Sequence, residues 1–176
     1  AAANAFLKVL EEPPPRVVFL LTAGSEHSVL PTIASRTRIV RFQPLKTAAL
    51  QPLLAGREDD ETAFALHLAQ GAPGALIELL SDPDTLRARR QLHGQAKQFW
   101  QALSLLERLK WILPFSEANR DLSELLFHLG LTLREHPDAK RREGYVKAYM
   151  ALIRALQTNA HRGLLLERFA LAVTIP

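Results

Sequence analysis

The sequence predicts a mainly α-helical fold with a short α/β stretch at its start. Three observations predict it. Apolar runs separated by proline breaks alternate with helical patterns in the first 44 residues. Strand patterns then stop after Gln43-Pro44. From Thr85 onward the apolar residues recur at helical spacing almost without interruption. The expected organisation is an α/β part over 1–44, three short helices over 45–82, and a helical bundle over 83–176.

The first helix is expected over 3–12. Phe6, Leu7 and Leu10 share one side, and Lys8, Glu11 and Glu12 another. Pro13-Pro14-Pro15 ends it, because proline has no N–H to donate and restricts the residue before it. Val17 to Leu21 is a continuous apolar run, expected as a strand buried on both faces. Pro31 opens a helix of one or two turns. Arg38 to Phe42 alternates polar and apolar and reads as a half-exposed strand.

Further on, residues 46–58 carry a helical stripe kinked at Pro52. Asp59-Asp60 caps a helix reaching Gln70, Gly71 closes it, and Pro73 starts another that ends near Leu80. One long helix is expected from about 85 to Trp111, interrupted near Gly94. Three more cover Arg120 to Glu135, Asp138 to Gln157 and Leu164 to Val173.

Composition narrows the function classes. The chain has 176 residues, 48% of them hydrophobic, and a formal charge of +4. That mild excess permits an acidic partner such as DNA without requiring one. There is no cysteine, so disulfides and thiolate metal sites are excluded within these residues. No uninterrupted apolar run of about 18 residues occurs to span a membrane. The start, AAANAFLKVLEE, reads as a helix entered midway, the expectation for a fragment whose N-terminal part is missing.

Several residues are candidates for chemistry. Arg36 stands after Ser35 at a loop–strand junction, with no acidic partner evident in the sequence. Thr22 ends the first apolar run. Glu11 and Glu12 are adjacent on a helix and point about 100° apart, so they read as a solvated helix end rather than a catalytic pair. The histidines at 27, 67, 93, 128, 136 and 161 show no ligand spacing, and no metal site is expected. Trp100 and Trp111 read as core or interface residues. Arg87, Arg89 and Arg90, and Lys140, Arg141, Arg142 with Lys147, read as solvated helix faces, with phosphate contact as the alternative.

A family resemblance lies in AAANAFLKVLEEPPPRVVFLLTAGSEHSVLPTIASRT, residues 1–37. A helix ending in Leu-Glu-Glu-Pro-Pro, a strand Phe-Leu-Leu-Thr, a proline-led helix and Ser-Arg follow one another. The order resembles the second half of the nucleotide-binding module of the clamp-loader AAA+ family of bacterial DNA polymerase III. The rest resembles that family in architecture, as a three-helix lid (45–82) and a collar (83–176). TNAHRGLLLERFALAV is similar to the last collar helix. GAPGALI at 71–77 places Gly74 where the motor subunits carry an arginine that touches nucleotide, and so resembles the delta-prime branch. Thr37 stands where the family usually has cysteine, a small packing residue of similar size.

The resemblance implies a non-motor subunit of an ATP-driven, cytoplasmic loader of a ring-shaped sliding clamp. Arg36 would act in trans as an arginine finger on ATP-Mg held by a neighbouring subunit. Ser35 would position that loop, and Thr22 would occupy a weak sensor-1-like place. The fragment itself would hold no cofactor and would be no enzyme alone. Implied partners are the gamma/tau and delta subunits, the clamp and, through the complex, primed DNA, with no membrane. A phosphate loop, an acidic metal-binding strand and a zinc module would all lie before Ala1. The rival readings are an active ATPase motor of the same superfamily and a helical scaffold or DNA-binding module without nucleotide chemistry.

Overall fold

The computed structural model describes residues 2–54, 56–117 and 120–174. The side chains of Phe6 and His27 lie outside the described set. The chain divides into two compact units, residues 1–44 and 45–176. None of the described helices is long and apolar enough to cross a membrane.

In the first unit α1 spans Ala2–Glu11 and α2 Pro31–Ala34, with a 3-10 turn at Glu26–Ser28 between them. Pro13 to Pro15 follow α1 as expected. No strand forms among the described residues, which corrects the expectation for 17–21 and 38–42. A strand exists only where a neighbouring backbone completes its ladder, however suitable its own sequence. Their apolar side chains stand open instead: Val18 is 83% exposed, Leu20 89% and Phe42 94%. The sequence pattern reported suitability for burial, and pairing is a separate requirement.

The second unit is helical throughout its regular structure. It comprises α3 (Thr47–Leu50), α4 (Asp60–Ala69), α5 (Pro73–Ser81), α6 (Pro83–Gln101), α7 (Leu105–Ile112), α8 (Leu122–Arg134), α9 (Ala139–Ala155) and α10 (Arg162–Ala172). Caps account for most of the boundaries. Asp59 accepts from Thr62 N at 2.7 Å, Asp82 from Thr85 N at 3.1 Å, and Asp138 from Lys140 N at 2.9 Å. Gln70 and Gly71, both at positive φ, turn the chain out of α4.

The long helix expected to reach Trp111 is two helices. The break falls at residues 102–104, not near Gly94. Ser104 and Glu107 form a reciprocal capping box that starts α7 afresh. Gly94 continues α6 because one glycine costs only about 1 kcal/mol in a helix that packing otherwise holds.

Two apolar clusters fill this unit. One gathers Leu50, Leu54, Leu68, Leu76, Leu79, Leu86 and Leu131. The other gathers Phe99, Trp100, Ile112, Leu125, Leu129, Tyr145, Leu166 and Phe169. Helices α6 and α8 contribute to both. Asp82 alone separates α5 from α6, ending the one and capping the other. The buried Trp100 indole donates to Leu129 O at 3.2 Å and Thr132 Oγ1 at 3.1 Å.

Helices α8 and α9 approach closely at Gly130. A Cβ there would stand 2.9 Å from the Tyr149 hydroxyl, which donates to Leu126 O at 2.8 Å. Gly130→Ala gains about 1 kcal/mol of helix propensity but overpacks this contact at about 1–3 kcal/mol. A net loss of about 1 kcal/mol is expected in thermal melts. A raised melting temperature would mean that Tyr149 yields freely.

Candidate functional site

Pro31 fixes the first turn of α2, and Ser35 is its C-cap. The Ser35 hydroxyl donates to Thr32 O at 3.2 Å, and the half-buried Thr37 donates to Ile33 O at 3.0 Å. These local bonds close the turn and leave Arg36 at its rim. Thr22 is exposed in irregular chain.

Arg36 is not unpartnered. Its Nε donates to Glu11 Oε1 at 2.6 Å, and Nη2 lies 2.5 Å from the same oxygen. Nη1 donates to Thr32 O at 3.0 Å and Ser35 Oγ at 3.3 Å. This corrects the expectation of an arginine without an acidic partner, while Glu11 stands at the exposed end of α1 as expected and holds this pair as well. The partner stands 25 positions away at the last residue of α1. No local pattern could have named it.

The side chains of this pair are 36% and 49% exposed. An exposed ion pair contributes about 0–1 kcal/mol, because solvent screens it and ordering two long side chains costs entropy. A phosphate offers several charged acceptor oxygens to the same planar fork. Exchange of Glu11 for such an anion is therefore inexpensive.

Much of the remaining positive charge is engaged within the chain. Arg87 pairs with Asp84 at 2.8 Å, Arg89 with Glu124 at 2.8 Å, and Lys147 with Glu143 at 2.8 Å. Arg141 stands 3.5 Å from Asp138. Arg90 lies 4.4 Å above the Phe64 ring and donates to Asp60 O at 3.2 Å. These contacts favour the helix-face reading of both basic clusters over phosphate contact.

The fold also assembles a group that spacing did not reveal. His67 from α4, His93 from α6 and Glu135 after α8 each place one donor atom within 4.8 Å of the others. His67 Nε2 is 3.1 Å from Glu135 Oε1, and Lys97 Nζ is 3.1 Å from Oε2. Burial holds the His93 pKa below the usual imidazole range, and the Lys97 ammonium adds to this. The three residues come from three separate parts of the chain, so no sequence motif could have announced them.

Residues 1–46, which include the Arg36 turn, match the family model described as DNA polymerase III, delta subunit. The DNA polymerase III subunit delta' of Haemophilus influenzae is 34% identical over 128 residues, covering 71% of this chain and 38% of that protein. The chain is a relative of the DNA polymerase III delta-prime subunits. The delta' protein of Escherichia coli is 36% identical over 95 residues, covering 52% of this chain and 28% of its own length. The gamma/tau subunit of Mycobacterium bovis is 35% identical over 94 residues, 50% of this chain and 16% of that protein. The chain thus spans well under half the length of these curated relatives. No solved structure matches significantly. At similar identity, the Haemophilus delta-prime alignment extends over more of this chain than the gamma/tau one does.

Proposed function

We propose that this delta-prime relative acts as a non-motor subunit of a sliding-clamp loader, presenting Arg36 in trans to ATP-Mg on a neighbouring subunit. The carrying observation is the Arg36 turn. It lies inside the family match, is held by short-range bonds through Ser35, and is tied to Glu11 only by an exposed pair. Gly74 supports the non-motor role. It lies in the first turn of α5, and the space beyond its Cα is open, so this position presents no side chain to a nucleotide. Gamma/tau and delta subunits, the clamp and primed DNA are the partners this role requires, in a cytoplasmic assembly joined through residues 83–176. Thr22 is at most an auxiliary contact to phosphate.

In such a site charge grows on the phosphoryl oxygens, and a forked guanidinium meets it better than an ammonium does. Arg36→Ala should leave assembly intact and lower ATP turnover with clamp and primed DNA present. The affected site loses about 10³-fold or more, while the whole assembly loses that site's share. Arg36→Lys should rescue poorly. Glu11→Gln should leave turnover equal or raised, since it frees the fork without removing it. Unchanged turnover in assemblies that contain Arg36→Ala would leave the Arg36–Glu11 pair as a surface ion pair only.

The gamma/tau alignment favours one other reading, an ATPase motor in its own right. Nucleotide binding by the isolated full-length subunit distinguishes the two, because a motor binds and hydrolyses ATP through its own phosphate loop.

A further inference from the structure

We propose that His67, His93 and Glu135 form a binding site for a divalent transition-metal ion, with Zn²⁺ the best match. Two imidazoles and one carboxylate are a borderline-soft set that suits zinc, and three protein ligands leave a fourth position for water. Calcium and magnesium prefer all-oxygen sets and fit poorly.

The imidazoles carry the argument. His93 is only 5% exposed, and its Nδ1 makes no hydrogen bond. His67 Nε2 is also buried and unbonded, because Glu135 Oε1 at 3.1 Å lies off the line a hydrogen bond needs. Buried polar atoms without partners are uncommon. Here two such atoms belong to histidines of one group with a carboxylate, and an ion held in that group would supply partners that the protein does not.

The surroundings allow entry and closure. The side chains of His67 and Glu135 are 35% and 36% exposed, so the group opens to solvent on one side. Tetrahedral zinc with bonds of about 2.1 Å needs donors roughly 3.4 Å apart. Donors now up to 4.8 Å apart therefore have to draw together by up to about 1.4 Å, a shift that side-chain rotation within the group has to supply. Lys97 now supplies positive charge at Glu135 Oε2. Its side chain is 49% exposed and can turn to water when a cation takes that place. The bound ion would link α4, α6 and the end of α8, elements that draw on both apolar clusters.

The test uses the 176-residue chain freed of metal by a chelator. Titration with Zn²⁺ in a calorimeter should give one ion per chain. Co²⁺ should give the intense visible bands of a tetrahedral site. His67→Asn and Glu135→Gln change half-exposed residues and should keep the helical circular dichroism, yet each should weaken Zn²⁺ binding by more than about tenfold. Lys97→Met should bind Zn²⁺ more tightly, because it removes a competing cation. Saturating zinc should raise the melting temperature by about 5 °C or more. Absence of one-to-one binding, or binding unaltered in both His67→Asn and Glu135→Gln, would overturn the site. So would Lys97→Met weakening it.

Discussion

Replacing Arg108 with methionine should lower the stability of the chain by about 3–4 kcal/mol, more than most single substitutions. Arg108 is 3% exposed, and its hydrogen-bond partners are uncharged. Its Nε donates to Phe99 O at 3.2 Å, Nη2 to Ala102 O at 2.6 Å and Nη1 to Thr174 Oγ1 at 2.7 Å. A longer bond of 3.4 Å reaches the Tyr145 hydroxyl. Phe99 and Ala102 lie at the C-terminal end of α6, where carbonyls lack helical partners and the helix dipole is negative. The guanidinium, carried on α7, therefore neutralises that helix end. Burial pulls its pKa down, but arginine starts so high that it stays charged at neutral pH.

Methionine fills much of the same volume and removes the desolvation cost of the charge. It leaves the buried Phe99 carbonyl and the part-buried Ala102 carbonyl and Thr174 hydroxyl without this donor, at up to about 1–3 kcal/mol each before relaxation. The second term wins because the acceptors stay where they are. Arg108→Lys should cost roughly half as much, since an ammonium reaches fewer of these acceptors. Urea unfolding followed by circular dichroism measures both. A loss below about 1 kcal/mol for Arg108→Met would mean that water or a rearranged α6 terminus satisfies the carbonyls.

This arginine marks a limit of what the sequence discloses. Arg108 looks like any charge on a helix face, and only tertiary structure encloses it. Local chemistry was legible. Asp59, Asp138, Pro73 and Gly71 mark real helix ends, because a cap is an interaction among near neighbours. The capping box at Ser104 and Glu107 is an equally local signal, and it starts α7, whereas Gly94 lowers helix propensity without ending α6. Strands were not legible, since the pattern at Val17 to Leu21 reports apolarity and not a neighbouring backbone. The turn that holds Arg36 was visible from Pro31 and Ser35. Its ion pair with Glu11 and the meeting of His67, His93 and Glu135 were not, for both depend on contacts far along the chain.

Acid should destabilise the chain through His128, and His128→Leu should remove that sensitivity. His128 is fully buried, and neither ring nitrogen makes a hydrogen bond. Its ring meets those of His93 and Phe127. Glu124 Oε2 stands 3.7 Å from Nε2 and would favour a protonated ring. Arg89 already pairs with that carboxylate at 2.8 Å, so its attraction is largely spent. Burial, with smaller repulsion from His93, Arg89 and His67, lowers the His128 pKa to about 4. The unfolded imidazole titrates near 6.5. Between these values the unfolded chain binds more protons than the folded one, so stability falls as pH falls. The contribution is complete above about pH 6.5, about 2 kcal/mol smaller at pH 5, and about 3 kcal/mol smaller below pH 4. Leucine has similar bulk and no nitrogen to leave unbonded, so His128→Leu should match or exceed the parent at pH 7. The difference between the two should then widen as the pH falls to 5. Urea melts of chelator-treated protein at pH 7, 6 and 5 supply the comparison, and the variant isolates this histidine from His93, whose lowered pKa acts in the same direction. Parallel losses in parent and variant would place the acid sensitivity elsewhere and imply that water reaches His128 in the folded chain.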